Sequence, residues 1–187
     1  MGFHHLAIAT RDLDATHRFY TEAMGFTLVK ANVAPTPEGG GWARHLFYDA
    51  GDNGMLAIWD LHDDEHIPPD FSPAISTGLG LPSWVNHIAF NATDLDDIAR
   101  RRNRWLDHGY DVVEIDHGWC TSIYTNDPNG IAVEFCTTTT AFTERDRAEA
   151  AAILDASEPP LESPPDAQFF RASEHVPIAT QAANAPS

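Results

Sequence analysis

Residues 5–14, HLAIATRDLD, recur as residues 87–96, HIAFNATDLD, with the His, one Ala and the Asp-Leu-Asp at the same offsets. A repeat of this kind constrains the fold more than any other feature, because each copy must build the same supersecondary unit. Within each copy the apolar residues alternate as in a strand, and an Asp then stands where a helix N-cap belongs. Both helices should close at a glycine, Gly25 and Gly109, followed by related strands, GFTLVK at residues 25–30 and GYDVVE at residues 109–114. Each copy ends in a hairpin containing Asn-Gly, at residues 48–59 and 124–135. The order is βαβββ, twice.

In chain order, residues 3–10 read as a strand with His5, Ala7 and Ala9 on one face, and His4, one residue out of register, should point away. Asp12 caps a helix whose buried stripe is Leu13, Thr16, Tyr20 and Ala23/Met24, with His17 on its surface. Strands follow at residues 26–33, 45–49 and 55–61, separated by a loop at 35–41 and a turn at 51–54. The second helix, capped by Asp94, should bury Leu95, Ile98, Trp105 and Leu106, leaving Arg100, Arg101, Arg102 and Arg104 as a solvated face with acidic neighbours. Module one thus spans 3–61 and module two 83–140, joined by a Pro-, Gly- and acid-rich connector at 62–82. Residues 143–156 are strong helix formers with Thr143 as cap, and residues 157–187 are a Pro- and Ala-rich tail or an arm.

The chemistry concentrates in residues 115–134, IDHGWCTSIYTNDPNGIAVE. Residues 121–124 and 131–136 are β-prone, and Asn126-Asp127-Pro128-Asn129-Gly130 is dense turn sequence between them. Glu134 sits inside an otherwise apolar strand, where burying a carboxylate requires a cation or donors; the alternative is an edge strand with Glu134 facing water. The hairpin can bring His117, Tyr124 and Glu134 to one surface.

That spacing, His117, then Tyr124, Asp127-Pro128-Asn129-Gly130 and Glu134, resembles the signature of the type I extradiol ring-cleavage dioxygenases. Its Tyr-to-Glu half is shared more widely across the vicinal oxygen chelate superfamily, with glyoxalase I, fosfomycin-resistance thiol transferases, methylmalonyl-CoA epimerase and bleomycin-binding proteins. The resemblance covers roughly residues 3–140. It implies an α+β fold of two tandem βαβββ modules forming a paired, curved mixed sheet around one metal cavity. It implies His5, His87 and Glu134 as metal ligands, a set that suits Fe(II), with Mn, Zn or Ni as alternatives. Where glyoxalase and epimerase patterns give a second Glu or Gln, this chain offers Ala57 or Ile58, with Asp60 as a fallback. The implied activity is cleavage of a catechol-like vicinal diol with O2, with Tyr124 hydrogen-bonding the substrate and His117 orienting substrate or a neighbouring group. The acid-base His of that family falls at Pro73 here, and His62 and His66 are the nearest imidazoles. A glyoxalase-, epimerase- or lyase-like metalloenzyme and a metal-free small-molecule-binding protein are the other readings open.

Eleven Lys and Arg against 28 Asp and Glu give a net charge of −17, which disfavours nucleic acid and anionic membrane as partners. The two cysteines, Cys120 and Cys136, are expected as reduced core thiols in a cytoplasmic protein. Trp42, Trp59, Trp84 and Trp119 are candidate pocket walls or core residues. Open sheet edges and the apolar tail residues Phe169, Phe170, Val176 and Ile178 point to a homodimer, with part of the C-terminal segment packed on the modules of its own or the partner chain.

Overall fold

The computed structural model describes residues 2–37 and 40–177. The first copy comprises β1 (His5–Thr10), α1 (Leu13–Arg18), β2 (Thr27–Pro35), β3 (Trp42–Gly51) and β4 (Gly54–His62). The second comprises β5 (His87–Asn91), α2 (Leu95–Asp107), β6 (Val112–Asp116), β7 (Cys120–Asn126) and β8 (Ala132–Thr138). Beyond them lie α3 (Glu144–Asp155) and a short β9 (Ala167–Phe170). The first sheet has the order β1-β4-β3-β2 and the second β5-β8-β7-β6-β9. In each copy the first strand runs parallel to the last, and the remaining pairs are antiparallel. The expected tandem βαβββ fold is therefore present.

The caps form as the sequence requires. Asp12 accepts the Ala15 amide at 2.9 Å and Asp94 the Asp97 amide at 2.7 Å, each satisfying a helix-start donor. α1 continues into a π-helical turn, Phe19–Ala23, that buries Phe19, Tyr20 and Ala23, and the chain reverses at Gly25, whose φ of +80° excludes most other residues. Leu95, expected in the core, is instead half exposed, because it is the first residue of α2 and precedes the buried turn at Ile98. His17 is not merely a surface residue, since its Nδ1 lies 3.0 Å from the Tyr48 hydroxyl. The arginine run does more than face solvent. Arg101 binds Asp97 and covers the Phe135 ring, Arg102 binds Glu114 and covers Phe170, and Arg104 donates to the Glu22 carbonyl of the first copy.

How the two copies meet decides where the site can form. In β1, Ile8 and Thr10 are buried while His5 and Ala7 are exposed. In β5, Ile88 is buried while His87 and Ala89 are exposed. Alternation puts the two histidines on the faces away from the core. The inner faces share one core, in which Phe26 of the first copy meets Phe90 and Phe135 of the second, and Phe19 meets Tyr110. Polar contacts reinforce this join: Thr10 donates to Asn129 at 2.8 Å, and the Tyr20 hydroxyl to Asp127 at 3.0 Å.

The tail is partly structured. β9 pairs with the edge strand β6, and Asp111 anchors it by accepting from the Arg171 guanidinium at 2.6 Å and the Ala172 amide at 2.9 Å. Thus Phe170 packs on the modules of its own chain, Phe169 is carried on the same strand but left exposed, and Ile178 lies outside the described residues. α3 starts in a capping box between Thr143 and Asp146, buries no residue, and leaves Leu154 exposed.

Candidate metal and substrate site

Glu134 lies on β8, an interior strand, and is 5% exposed, so the water-facing alternative does not hold. A carboxylate buried there needs partners. Ser122, on β7, donates its hydroxyl to Oε1 at 2.5 Å, and His87 Nε2 stands 3.0 Å from Oε2. The His87 Nδ1 is 3.1 Å from the Trp84 carbonyl, so it carries the proton that this acceptor requires. That bond leaves Nε2 as the nitrogen that faces Glu134, and the one a metal ion between the two side chains would take in place of a proton. Two ligand atoms in adjacent positions on one ion, each at roughly 2.1 Å, are separated by about 3.0 Å. The His87–Glu134 pair has that separation.

Tyr124 faces Glu134 across the β7–β8 ladder, and its hydroxyl is 3.1 Å from His117 Nε2. His117 is held in place by its backbone bond to Cys120 and by the turn at Gly118, with φ +81°. Burial, reinforced by the Glu134 charge, pushes the Tyr124 phenol up to about 12, so it remains a donor at neutral pH. His87, Tyr124 and His117 open onto a cavity of about 940 Å³ lined by Trp84, Val113, Ile115 and Phe169 among others. His87, Glu134, Tyr124 and His117 are thus brought together as expected.

His5 is not. It lies on the exposed face of the first sheet with Phe47 and His45, whose ring centroids are 5.6 and 6.4 Å away. Among the described residues, no three His, Cys, Asp or Glu side chains converge where they could hold an ion. The reason is the shared core: it occupies the inner faces of both copies, so the two histidine faces do not close on each other within one chain. His4 does not point away, because it precedes β1 and escapes strand alternation; its Nδ1 is 2.8 Å from His5 Nδ1. With Nδ1 so engaged, His5 offers Nε2, the same nitrogen His87 offers.

The register also settles which residue is the counterpart of Glu134. His87 pairs with Ala132, two residues before Glu134, and His5 pairs with Met55, two residues before Ala57. Ala57, not Ile58, stands in the equivalent place. Asp60 is on the opposite face of β4, bound to Arg44 and His62 at 2.8 Å each, and His62 stacks on Trp42. Neither belongs to the cavity, and His66 bonds Asp64 in the connector. Trp59 stacks on His45, Trp119 packs on Phe142, and Trp84 lines the cavity. Both cysteines are free thiols. Ser122 was legible as a same-face neighbour two residues before Tyr124, whereas the Trp84 carbonyl and Phe169 carry no local signal.

Residues 2–135 match the family model described as Glyoxalase/Bleomycin resistance protein/Dioxygenase superfamily. Among solved structures, a glyoxylase/bleomycin resistance protein/dioxygenase domain from Frankia sp. EAN1pec is 19% identical with a TM-score of 0.53, covering 74% of this chain and 98% of that one. The genomically encoded fosfomycin resistance protein FosX from Listeria monocytogenes is 16% identical with a TM-score of 0.50, covering 79% and 98%. Lactoylglutathione lyase from Agrobacterium tumefaciens is 23% identical with a TM-score of 0.48, covering 72% and 92%. No curated protein sequence matches the chain. No helix among the described residues is long and apolar enough to cross a membrane.

Proposed function

The chain belongs to the Glyoxalase/Bleomycin resistance protein/Dioxygenase superfamily, and from that premise we propose that it is an extradiol-type dioxygenase cleaving a catechol-like vicinal diol with O2 at a site made by His87, Glu134 and His5. The observation that carries the reading is Ala57. With no second carboxylate at the counterpart of Glu134, the donor set is two imidazoles and one carboxylate, which leaves positions open for both oxygens of a diol and for O2. Iron(II) held by that set would supply the redox chemistry that joins O2 to a chelated diol.

The protein's own groups have separate tasks. Trp84 orients the His87 ring so that Nε2 faces Glu134, and Ser122 holds Glu134 Oε1 so that Oε2 faces His87. The protonated Tyr124 phenol donates to a substrate oxygen, and His117 sets the direction of that hydroxyl. His5 comes from the first sheet of a second copy. A two-fold pairing lays each chain's His5 face over its partner's His87–Glu134 face and forms two sites per homodimer.

His87→Ala is expected to lose metal and activity together. Tyr124→Phe is expected to keep the metal and lose rate by about 10²-fold, because a lost donor acts on the reacting oxygen and not on a coordination bond. Metal content by elemental analysis, with O2 uptake on adding catechol, distinguishes the two. Equal metal loss in both variants would refute the assignment of Tyr124. Protein that retains zinc or nickel and takes up no O2 with catechols in its iron(II) form would replace the reading with the lyase-like one.

A further inference from the structure

Five residues face one another in a single row across the second sheet: Ala89 on β5, Glu134 on β8, Tyr124 on β7, Val113 on β6 and Phe169 on β9. Neighbouring strands are about 4.8 Å apart, so Phe169 stands roughly 14 Å from Glu134, well beyond the reach of a single catechol ring. Three of the five, Tyr124, Val113 and Phe169, line the same cavity of about 940 Å³, with His87 at its near end. Phe169 is 69% exposed, an aromatic ring kept at the rim, while its neighbour Phe170 turns to the other face beneath Arg102. The Phe169 ring offers an apolar face to whatever occupies that end of the cavity. Trp84, 73% exposed, lines the same cavity.

β9 lies beyond the part of the chain that matches the family, which ends at residue 135. It is nevertheless firmly attached, by its ladder to β6, by the Arg171–Asp111 pair and by His175 Nε2 at 2.9 Å from Asp107. Arg171 and Asp111 both line the far end of the cavity and neutralise each other there. That end suits an uncharged apolar group, flanked by Val113 and Phe169.

We propose that β9 is the far wall of the substrate cavity and that Phe169 selects diols carrying a second, uncharged aromatic ring. The proposal rests on the diol-cleaving reading above for the near end of the ligand. The diol lies at Glu134 and Tyr124, the body of the substrate crosses Val113, and the second ring packs on Phe169.

The test is anaerobic calorimetric titration of the iron(II)-loaded full chain with three probes: catechol, 4-phenylcatechol and 4-phenylphenol, the last unable to chelate. Wild-type protein is expected to bind 4-phenylcatechol about 10-fold more tightly than catechol, and Phe169→Ala to narrow that gap to within about 2-fold. Phe169→Trp, which restores a flat ring, is expected to restore the preference. A wild-type protein that binds the two catechols equally, or a Phe169→Ala variant that keeps the full preference, overturns the proposal. If Phe169→Ala keeps the preference and loses the dimer in light scattering, the partner chain is what covers Phe169, and the proposal again falls. If 4-phenylphenol binds, is weakened by Phe169→Ala, and catechol does not bind at all, the wall stands and the diol reading fails. No binding of any probe overturns both.

Discussion

Neither a His5→Ala chain nor a Glu134→Ala chain is expected to hold a divalent metal tightly, yet a mixture of the two should recover about one quarter of the wild-type sites. The fraction follows from the geometry of the proposed dimer. Random exchange places half of all protomers in mixed dimers. In a mixed dimer, one site joins the intact Glu134 of the first variant to the intact His5 of the second, and the other site lacks both residues. Each variant alone loses one of three donors, which costs roughly 10²-fold or more in metal affinity. Metal content after unfolding, mixing and refolding measures the recovery. A mixture that stays empty would place His5 and Glu134 in one chain's site, and a His5→Ala protein that binds metal normally would remove His5 from the ligand set.

The experiment is decisive because it separates two arrangements that share the same ligands. Ile8 with Phe26 and Ile88 with Phe135 belong to one core, so the faces bearing His5 and His87 are both left on the outside. Bringing them together within one chain would require the core to open. Pairing two chains requires no such change, and it would cover the exposed face around His5 and the mouth of the second-sheet cavity at once. Exposed apolar residues on the first sheet, among them Leu28, Val29 and Val33 on β2, are further surface that association can remove from water.

What was legible in the sequence was local. The repeat at His5 and His87, the caps at Asp12 and Asp94, and the turn at Asp127 to Gly130 each depend on residues close in the chain. The hairpin likewise brings Tyr124 and Glu134 to one surface, and alternation sets Ser122, not singled out in the sequence, on the face of Tyr124. Alternation could not say which face of one copy meets which face of the other, because Phe26–Phe135 and Tyr20–Asp127 are contacts between residues about a hundred positions apart, set by packing and not by period. β9 escaped for the same reason. Four residues in a Pro-rich tail have no periodicity of their own, and they become a strand only because β6 presents an unpaired edge. The paired role of Arg102 and Arg104 was hidden in the same way: a basic run on a helix looks solvated until Glu114 and the Glu22 carbonyl are known to lie opposite.

Asp127→Ala is expected to destabilise the protein by on the order of 3 kcal/mol, because it strips several donors of their acceptor at one buried point. Asp127 is 4% exposed and accepts from the Asn129 amide at 2.8 Å, the Ile131 amide at 2.9 Å, the Asn129 side chain at 3.0 Å and the Tyr20 hydroxyl at 3.0 Å. The first two bonds shape the turn that leads into β8 and Glu134; the last ties that turn to the π-helical turn of the first copy. Tyr20→Phe removes only that tie, and it is expected to cost about 1 kcal/mol while leaving the turn intact. Burial holds the Asp127 carboxyl above the usual carboxylate range against the pull of its donors. A raised folded-state value favours the protonated form in the fold, so this group's contribution is largest below the unfolded value and declines as pH rises through the folded one. Asp127→Asn has no such titration, so the stability difference between wild type and Asp127→Asn should shift toward the variant as pH rises through that window. Urea unfolding at a series of pH values measures both effects. An Asp127→Ala protein as stable as wild type would show that the turn holds without its carboxylate, and a difference that moves toward wild type with rising pH would show that the four donors outweigh burial.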